Sequence, residues 1–228
     1  MWEGTVKEIE LRAQRATLGG TLSIPEGAAG VVVFAHGSGS SRHSPRNEQV
    51  AEALNTAGFA TLLFDLLTPE EEVLDIVTGR LRFDITLLAD RLIAATAWLL
   101  QLQETRRFRV GYFGASTGAA AALMAAAELP RSVIAVVSRG GRPDLAGPTI
   151  AKVEAATLLI VGGSDTAVIE MNRSAINQLH AVKQIEIVPG ATHLFEEPGA
   201  LDMVATLATR WFENYLTPPE ESVRSTAS

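Results

Sequence analysis

Cysteine is missing altogether from this chain of 228 residues, which excludes disulfides, thiolate metal sites and a cysteine nucleophile. Long apolar runs are missing too, and nothing approaches the roughly 18 consecutive residues of a membrane-spanning helix. The opening Met1-Trp2-Glu3-Gly4 lacks the basic-then-apolar layout of a secretory signal. Positive charge is scarce: 19 Lys and Arg stand against 26 Asp and Glu, a net charge of −7. That balance argues against a nucleic-acid surface. No internal repeat and no linker-like stretch divides the chain. The expectation is a soluble, cytoplasmic protein with one domain over residues 1–216 and a flexible tail over 217–228, with no nucleic-acid or membrane partner. The expected assembly is a monomer or a homodimer.

What is present is enough apolar material for a sizeable core, with 47% hydrophobic and 20% charged residues. Short runs rich in Val, Ile, Leu and Phe recur at Val31–Ala35, Ala60–Phe64, Val110–Phe113, Val133–Ser138, Leu158–Val161 and Ile185–Val188. Most are apolar throughout, as parallel strands covered on both faces require. Between them lie helical patterns. Ile85, Leu88, Leu92, Ala95, Leu99 and Leu102 recur three or four apart, as do Leu201, Val204, Ala208, Trp211 and Tyr215. Ser44-Pro45 reads as a cap followed by proline at the first helical position, opening a helix through about Ala57. Ahead of these, Thr5–Ile24 reads as an antiparallel hairpin turning near Gly19-Gly20. Alternating strands and helices predict an α/β domain with a mostly parallel sheet.

In such a sheet the chemistry gathers beyond the carboxyl ends of the strands. Three polar residues occupy such ends in chain order: Ser116 after VGYF, Asp165 after LLIV and His193 after IEIV. A nucleophile, an orienting acid and a general base need that kind of placement. Gly114-Ala115-Ser116-Thr117-Gly118 also matches the pattern of a nucleophile elbow, a tight strand-to-helix turn that exposes a serine hydroxyl. Its glycines stand where the turn backbone approaches its neighbours too closely for a side chain. Such a turn directs backbone N–H groups and the positive end of a helix at the reacting carbon.

Together with HGSGSSRHSPRN (36–47), SRGGRPDL (138–145), GGSD (162–165) and PGATHLFEEPG (189–199), these motifs resemble the α/β hydrolases, within them the compact dienelactone hydrolase-like family. The resemblance runs from the hairpin to the last helix. It implies an α/β-hydrolase fold with helices on both faces of the sheet, and a Ser116–Asp165–His193 triad. It also implies an oxyanion hole from the backbone N–H groups of Thr117 and Ser38. The dienelactone hydrolase that names the family is known for a cysteine nucleophile, so its lactone substrate does not carry over to a cysteine-free chain. The implied activity is hydrolysis of a small or medium soluble ester through an acyl-enzyme, with no metal or organic cofactor. Thioester cleavage or acyl transfer would use the same residues, and a non-catalytic binding protein on the same scaffold is the remaining rival. A dinucleotide site in VVVFAHGSGSS, with Asp65 as the ribose acid, fails because Arg42 takes the place of the third glycine.

Several other residues have two readings each. His36 would brace the loop that follows it. Arg42 and His43 would either contact an anionic substrate group or tie that loop to its helix. Arg139, beside Gly140-Gly141, would either bind a carboxylate or form a structural ion pair. Asp65 would shape a turn or substitute as the acid, and His180 would cap a helix. Glu70-Glu71-Glu72 would be solvated. The stretch after Ser138 is too short for a large lid, which leaves Leu66–Arg82 to cover the site in part.

Overall fold

A computed structural model describes residues 2–218, so the terminal residues 219–228 of the expected flexible tail lie outside the described residues. Eight strands form one sheet: β1 (Gly4–Ala13), β2 (Ala16–Pro25), β3 (Gly30–Ala35), β4 (Ala60–Phe64), β5 (Arg109–Ala115), β6 (Val133–Arg139), β7 (Ala156–Gly162) and β8 (Lys183–Val188). Their spatial order is β1-β2-β4-β3-β5-β6-β7-β8. The pairs β1–β2 and β2–β4 are antiparallel, and every pair from β4 through β8 is parallel.

The helices are α1 (Pro45–Thr56), α2 (Pro69–Thr78), α3 (Ile85–Leu99), α4 (Thr117–Glu128), α5 (Thr166–Ile176) and α6 (Ala200–Leu216). One core packs α3 and α4 against the sheet through Leu88, Leu92, Leu99 and the alanines of α4. The opposite core packs α1 and α6 through Val50, Leu54, Val204 and Phe212. Because both faces are covered, every residue of β3, β4 and β7 is buried, which is why those runs carry no polar alternation. β8 lies at the sheet edge and is more exposed. Between β6 and β7 there are only short 3-10 turns within Pro143–Lys152, so no large lid is inserted there.

Two local expectations change. The hairpin turns at Gln14-Arg15, where Gln14 adopts a positive φ of 55°, and not at Gly19-Gly20. Those glycines lie inside β2 for reasons of space: a Cβ on Gly19 would strike the Arg42 guanidinium, and one on Gly20 would sit 3.0 Å from Phe64 Cβ and from Ile9 Cδ1. His180 is no helix cap, since α5 ends at Ile176 and His180 lies exposed beyond it.

Candidate active site

The elbow forms where β5 runs into α4. Ser116 holds φ 51° and ψ −121°, a region that non-glycine residues rarely occupy. The turn around it is tied on both sides. Its N–H donates to Arg139 O at 3.2 Å, and its carbonyl accepts from Ala119 and Arg142 N–H at 3.1 Å each. The flanking glycines are required sterically. A Cβ on Gly114 would lie 2.5 Å from Ala119 Cα, and one on Gly118 would collide with the backbone carbonyls of Ala35 and His36.

Asp165 follows β7 at the start of α5, and its side chain does not cap that helix. Its Oδ2 instead lies 2.7 Å from His193 Nδ1. A carboxylate only accepts, so Nδ1 carries the proton and the Nε2 lone pair is left as the basic site. The imidazole is partly exposed, with 40% of its side-chain surface accessible. His193 and Ser116 both lie beside the Arg139-Gly140 pair: a Cβ on Gly140 would lie 3.1 Å from His193 O, while the Arg139 carbonyl holds the Ser116 N–H. No hydrogen bond closes between the Ser116 hydroxyl and His193 among the described residues.

The loop after β3 forms the other wall. A Cβ on Gly37 would come within 3.2 Å of Ser116 Cβ, so the loop backbone passes directly against Ser116. Buried His36 fixes that loop, its Nε2 accepting from Leu66 N–H at 3.1 Å and its Nδ1 donating to Gly37 O at 3.0 Å. Burial pulls the imidazole pKa below its usual 6.5, which keeps the ring neutral and able to accept. Of the two expected oxyanion donors, the Thr117 N–H at the head of α4 meets no acceptor among the described residues. The Ser38 N–H differs from expectation, because it donates to the Thr117 side-chain Oγ1 at 3.0 Å.

Arg42 and Asp65 account for each other. The Arg42 N–H donates to Asp65 Oδ1 at 2.9 Å and its Nη1 to Oδ2 at 2.7 Å. The pair clamps the loop before α1 to the end of β4, so Arg42 is turned away from a substrate role and Asp65 from that of a substitute acid. His43 is exposed and lines the cavity described below. Arg139 is buried to 7% exposure and has no ion pair among the described residues, its guanidinium carbon 6.0 Å from the Phe195 ring centroid. Its Nε and Nη1 have no hydrogen-bond partner among the described residues, and burial, with Arg46 nearby, brings its pKa down to about 10. It stands outside the lining of the cavity beside the elbow.

That cavity has a volume of about 450 Å³ and runs from Gly37, Ser38 and Thr117 to α2 and the 3-10 turn Leu81–Phe83. Leu66, Leu67, Leu88 and Ile76 supply apolar lining. Glu72, Asp75 and Arg82 line its far end, with Arg82 Nε on the buried Asp75 carboxylate at 2.5 Å. The Leu66–Arg82 segment therefore walls this cavity in part, a cavity lined by Thr117 but not by Ser116 or His193, and Glu70–Glu72 form the first turn of α2, fixed by a Thr68–Glu71 capping box. Sequence reasoning missed Asp75, Ile76 and Arg82 as cavity residues. The signal lay in an acidic residue set inside an apolar run, Val73-Leu74-Asp75-Ile76-Val77. Among the described residues no cluster of His, Asp and Glu could hold a metal ion, and no helix is long and apolar enough to cross a membrane.

Proteins of known structure share this fold. A crystal structure of dienelactone hydrolase from Anabaena variabilis is 58% identical, superposes with a TM-score of 0.92, and matches over 93% of this chain and 99% of that one. A protein of Mycobacterium tuberculosis described as a putative phosphoribosyl transferase is 57% identical over 217 residues, 95% of this chain but 48% of its own length. The chain thus spans about half the length of the curated relatives it matches. Est1E from Butyrivibrio proteoclasticus, at 15% identity and a TM-score of 0.76, shares the fold. The model of the dienelactone hydrolase family matches residues 18–216, and this chain belongs to that family.

Proposed function

We propose that this chain is a serine hydrolase of carboxylic esters that works through an acyl-enzyme on Ser116. The observation that carries the reading is the 2.7 Å Asp165–His193 bond on two loops that converge on a strained serine. The family and its ester-hydrolysing neighbours support a hydrolase of esters as the coarser statement.

The sequence of steps follows from the groups present. His193 Nε2 takes the Ser116 proton as Oγ attacks the acyl carbonyl, and Asp165 stabilises the imidazolium that forms. Backbone N–H groups at the head of α4 stabilise the negative oxygen of the tetrahedral intermediate, each donor being worth on the order of 3 kcal/mol of barrier. The intermediate collapses, His193 returns the proton to the leaving alcohol, and water attacks the acyl-enzyme by the reverse path. Leu66, Leu67, Leu88 and Ile76 favour an ester with a small or medium apolar group. Phosphoribosyl transfer is named for proteins about twice this length, and the strained serine with its Asp–His pair supplies no reason to bring that activity to this half.

The test is hydrolysis of p-nitrophenyl esters from acetate to octanoate by the parent chain and by Ser116→Ala. Turnover by the parent alone, with a chain-length profile peaking at short acyl groups, is the expected result. Equal turnover by both variants would discard the serine mechanism. No turnover by either would favour a binding protein on the hydrolase scaffold.

A further inference from the structure

The Ser38–Thr117 hydrogen bond has no part in the mechanism above. Thr117 is the first residue of α4 and is 2% exposed, yet it lines the cavity together with Gly37 and Ser38. A threonine in a helix interior commonly passes its hydroxyl proton to the carbonyl one turn back. At the first helical position that carbonyl belongs to β5, and no such bond forms. Thr117 Oγ1 accepts from the Ser38 N–H at 3.0 Å, and its own proton meets no acceptor among the described residues. A buried hydroxyl with an unspent proton is costly unless something supplies an acceptor. The cavity on which this one borders is also lined by Gly37, whose backbone passes against Ser116.

We propose that the Thr117 hydroxyl is a catalytic oxyanion donor, placed between the Ser38 N–H and the developing negative oxygen. The inference rests on the serine-hydrolase reading and deepens it. The Ser38 amide orients the hydroxyl by occupying one of its lone pairs, and accepting that bond polarises the O–H so that it donates more strongly. The Thr117 N–H and O–H then approach the same oxygen from one residue, and Ser38 acts through the hydroxyl. No proton is transferred in this step. The hydroxyl only strengthens its hydrogen bond as charge builds on the carbonyl oxygen and relaxes as the intermediate collapses.

The alternative geometry, in which the Ser38 N–H itself faces the oxyanion, makes the opposite forecast. There the Thr117 hydroxyl obstructs the donor, and removing it sets the donor free. Thr117→Val, Thr117→Ala and Thr117→Ser discriminate between the two, with p-nitrophenyl acetate turnover and the rate of labelling by a fluorophosphonate as readouts. Thermal melting identifies which of the Val and Ala variants is folded, so a packing failure in one leaves the other to be read. The proposal expects a fall in kcat and in labelling rate of about 10²-fold for the hydroxyl-free variants. KM should stay close to the parent value, and Thr117→Ser should remain within a few-fold of the parent. Undiminished or faster turnover in the hydroxyl-free variants would overturn it, as would an equal loss in Thr117→Ser. A parent chain inert to both reagents removes the hydrolase reading and this inference together. A reactive parent matched by its hydroxyl-free variants removes the inference alone.

Discussion

Gly118→Ala tests the elbow most severely for so small a change. The added Cβ would meet Ala35 O, lie 2.5 Å from His36 O and 2.7 Å from Ala35 C. Carbons normally keep about 3.5–4.0 Å apart, so α4 and the end of β3 must separate by about 1 Å. All the opposing atoms are backbone, which cannot swing aside as a side chain could. Overpacking of this kind costs about 1–3 kcal/mol and sometimes more, and the rigid opposition puts this site near 3 kcal/mol. In a domain of this size that lowers the melting temperature by about 6–12 °C. A shift of about 1 Å at Ser116 costs about 10²-fold in rate as well. Gly79→Ala serves as the contrast. Gly79 ends α2 with a left-handed φ of 61° and nothing within 4 Å of an added Cβ, so it should cost about 1 kcal/mol without touching activity. Circular-dichroism melts and p-nitrophenyl acetate rates on both variants make the comparison. If Gly118→Ala melts within a degree or two of the parent and turns over normally, the close-approach argument for the elbow is wrong.

Other outcomes follow from the same contacts. His193→Ala should lose about as much turnover as Ser116→Ala because the proposed mechanism makes the two a unit, and Asp165→Asn should lose most of it; near-full activity in the latter would mean that the 2.7 Å contact does not orient the base. Arg139→Met removes a buried cation whose pKa, lowered to about 10 from 12.5, reflects about 3 kcal/mol of disfavoured charge, against about 1 kcal/mol of lost contact with Phe195. At pH 8, below both values, the full penalty is present, so the melting temperature should rise by several degrees, and a fall would contradict the ledger. His36 is held neutral by burial with its pKa below 6.5, so the unfolded chain binds the extra proton first as pH drops through about 6.5 and stability declines. Melts between about pH 7.5 and 5.5 should show that slope in the parent and a flatter one in His36→Gln; identical slopes would mean that His36 is not the group responsible.

The parallel strands could be read from the chain because β3, β4 and β7 bury both faces and so carry unbroken apolar runs. The hairpin turn could not. Gly19-Gly20 looks like a turn, yet those glycines yield space to Arg42 and Phe64, neighbours that only the folded sheet assembles. The placement of Ser116, Asp165 and His193 just beyond the ends of β5, β7 and β8 was legible, since the apolar runs that mark those strands stop at or shortly before them. The fate of Arg42 was not, because its partner Asp65 is remote in sequence and adjacent only through the pairing of β3 with β4. The Ser38–Thr117 bond was hidden for a similar reason. Sequence motifs assign backbone donors to positions, whereas a side-chain hydroxyl across the cleft decides where one of them points.

Covalent trapping reports on Ser116 itself. The chain would be mixed with p-nitrophenyl acetate, quenched in acid during turnover, digested and mapped by mass spectrometry. An acetyl group on the peptide containing Ser116, accumulating in Asp165→Asn or the parent and absent from Ser116→Ala, is the predicted result. Release of p-nitrophenol with the acetyl group on another residue, or undiminished in Ser116→Ala, would contradict the account.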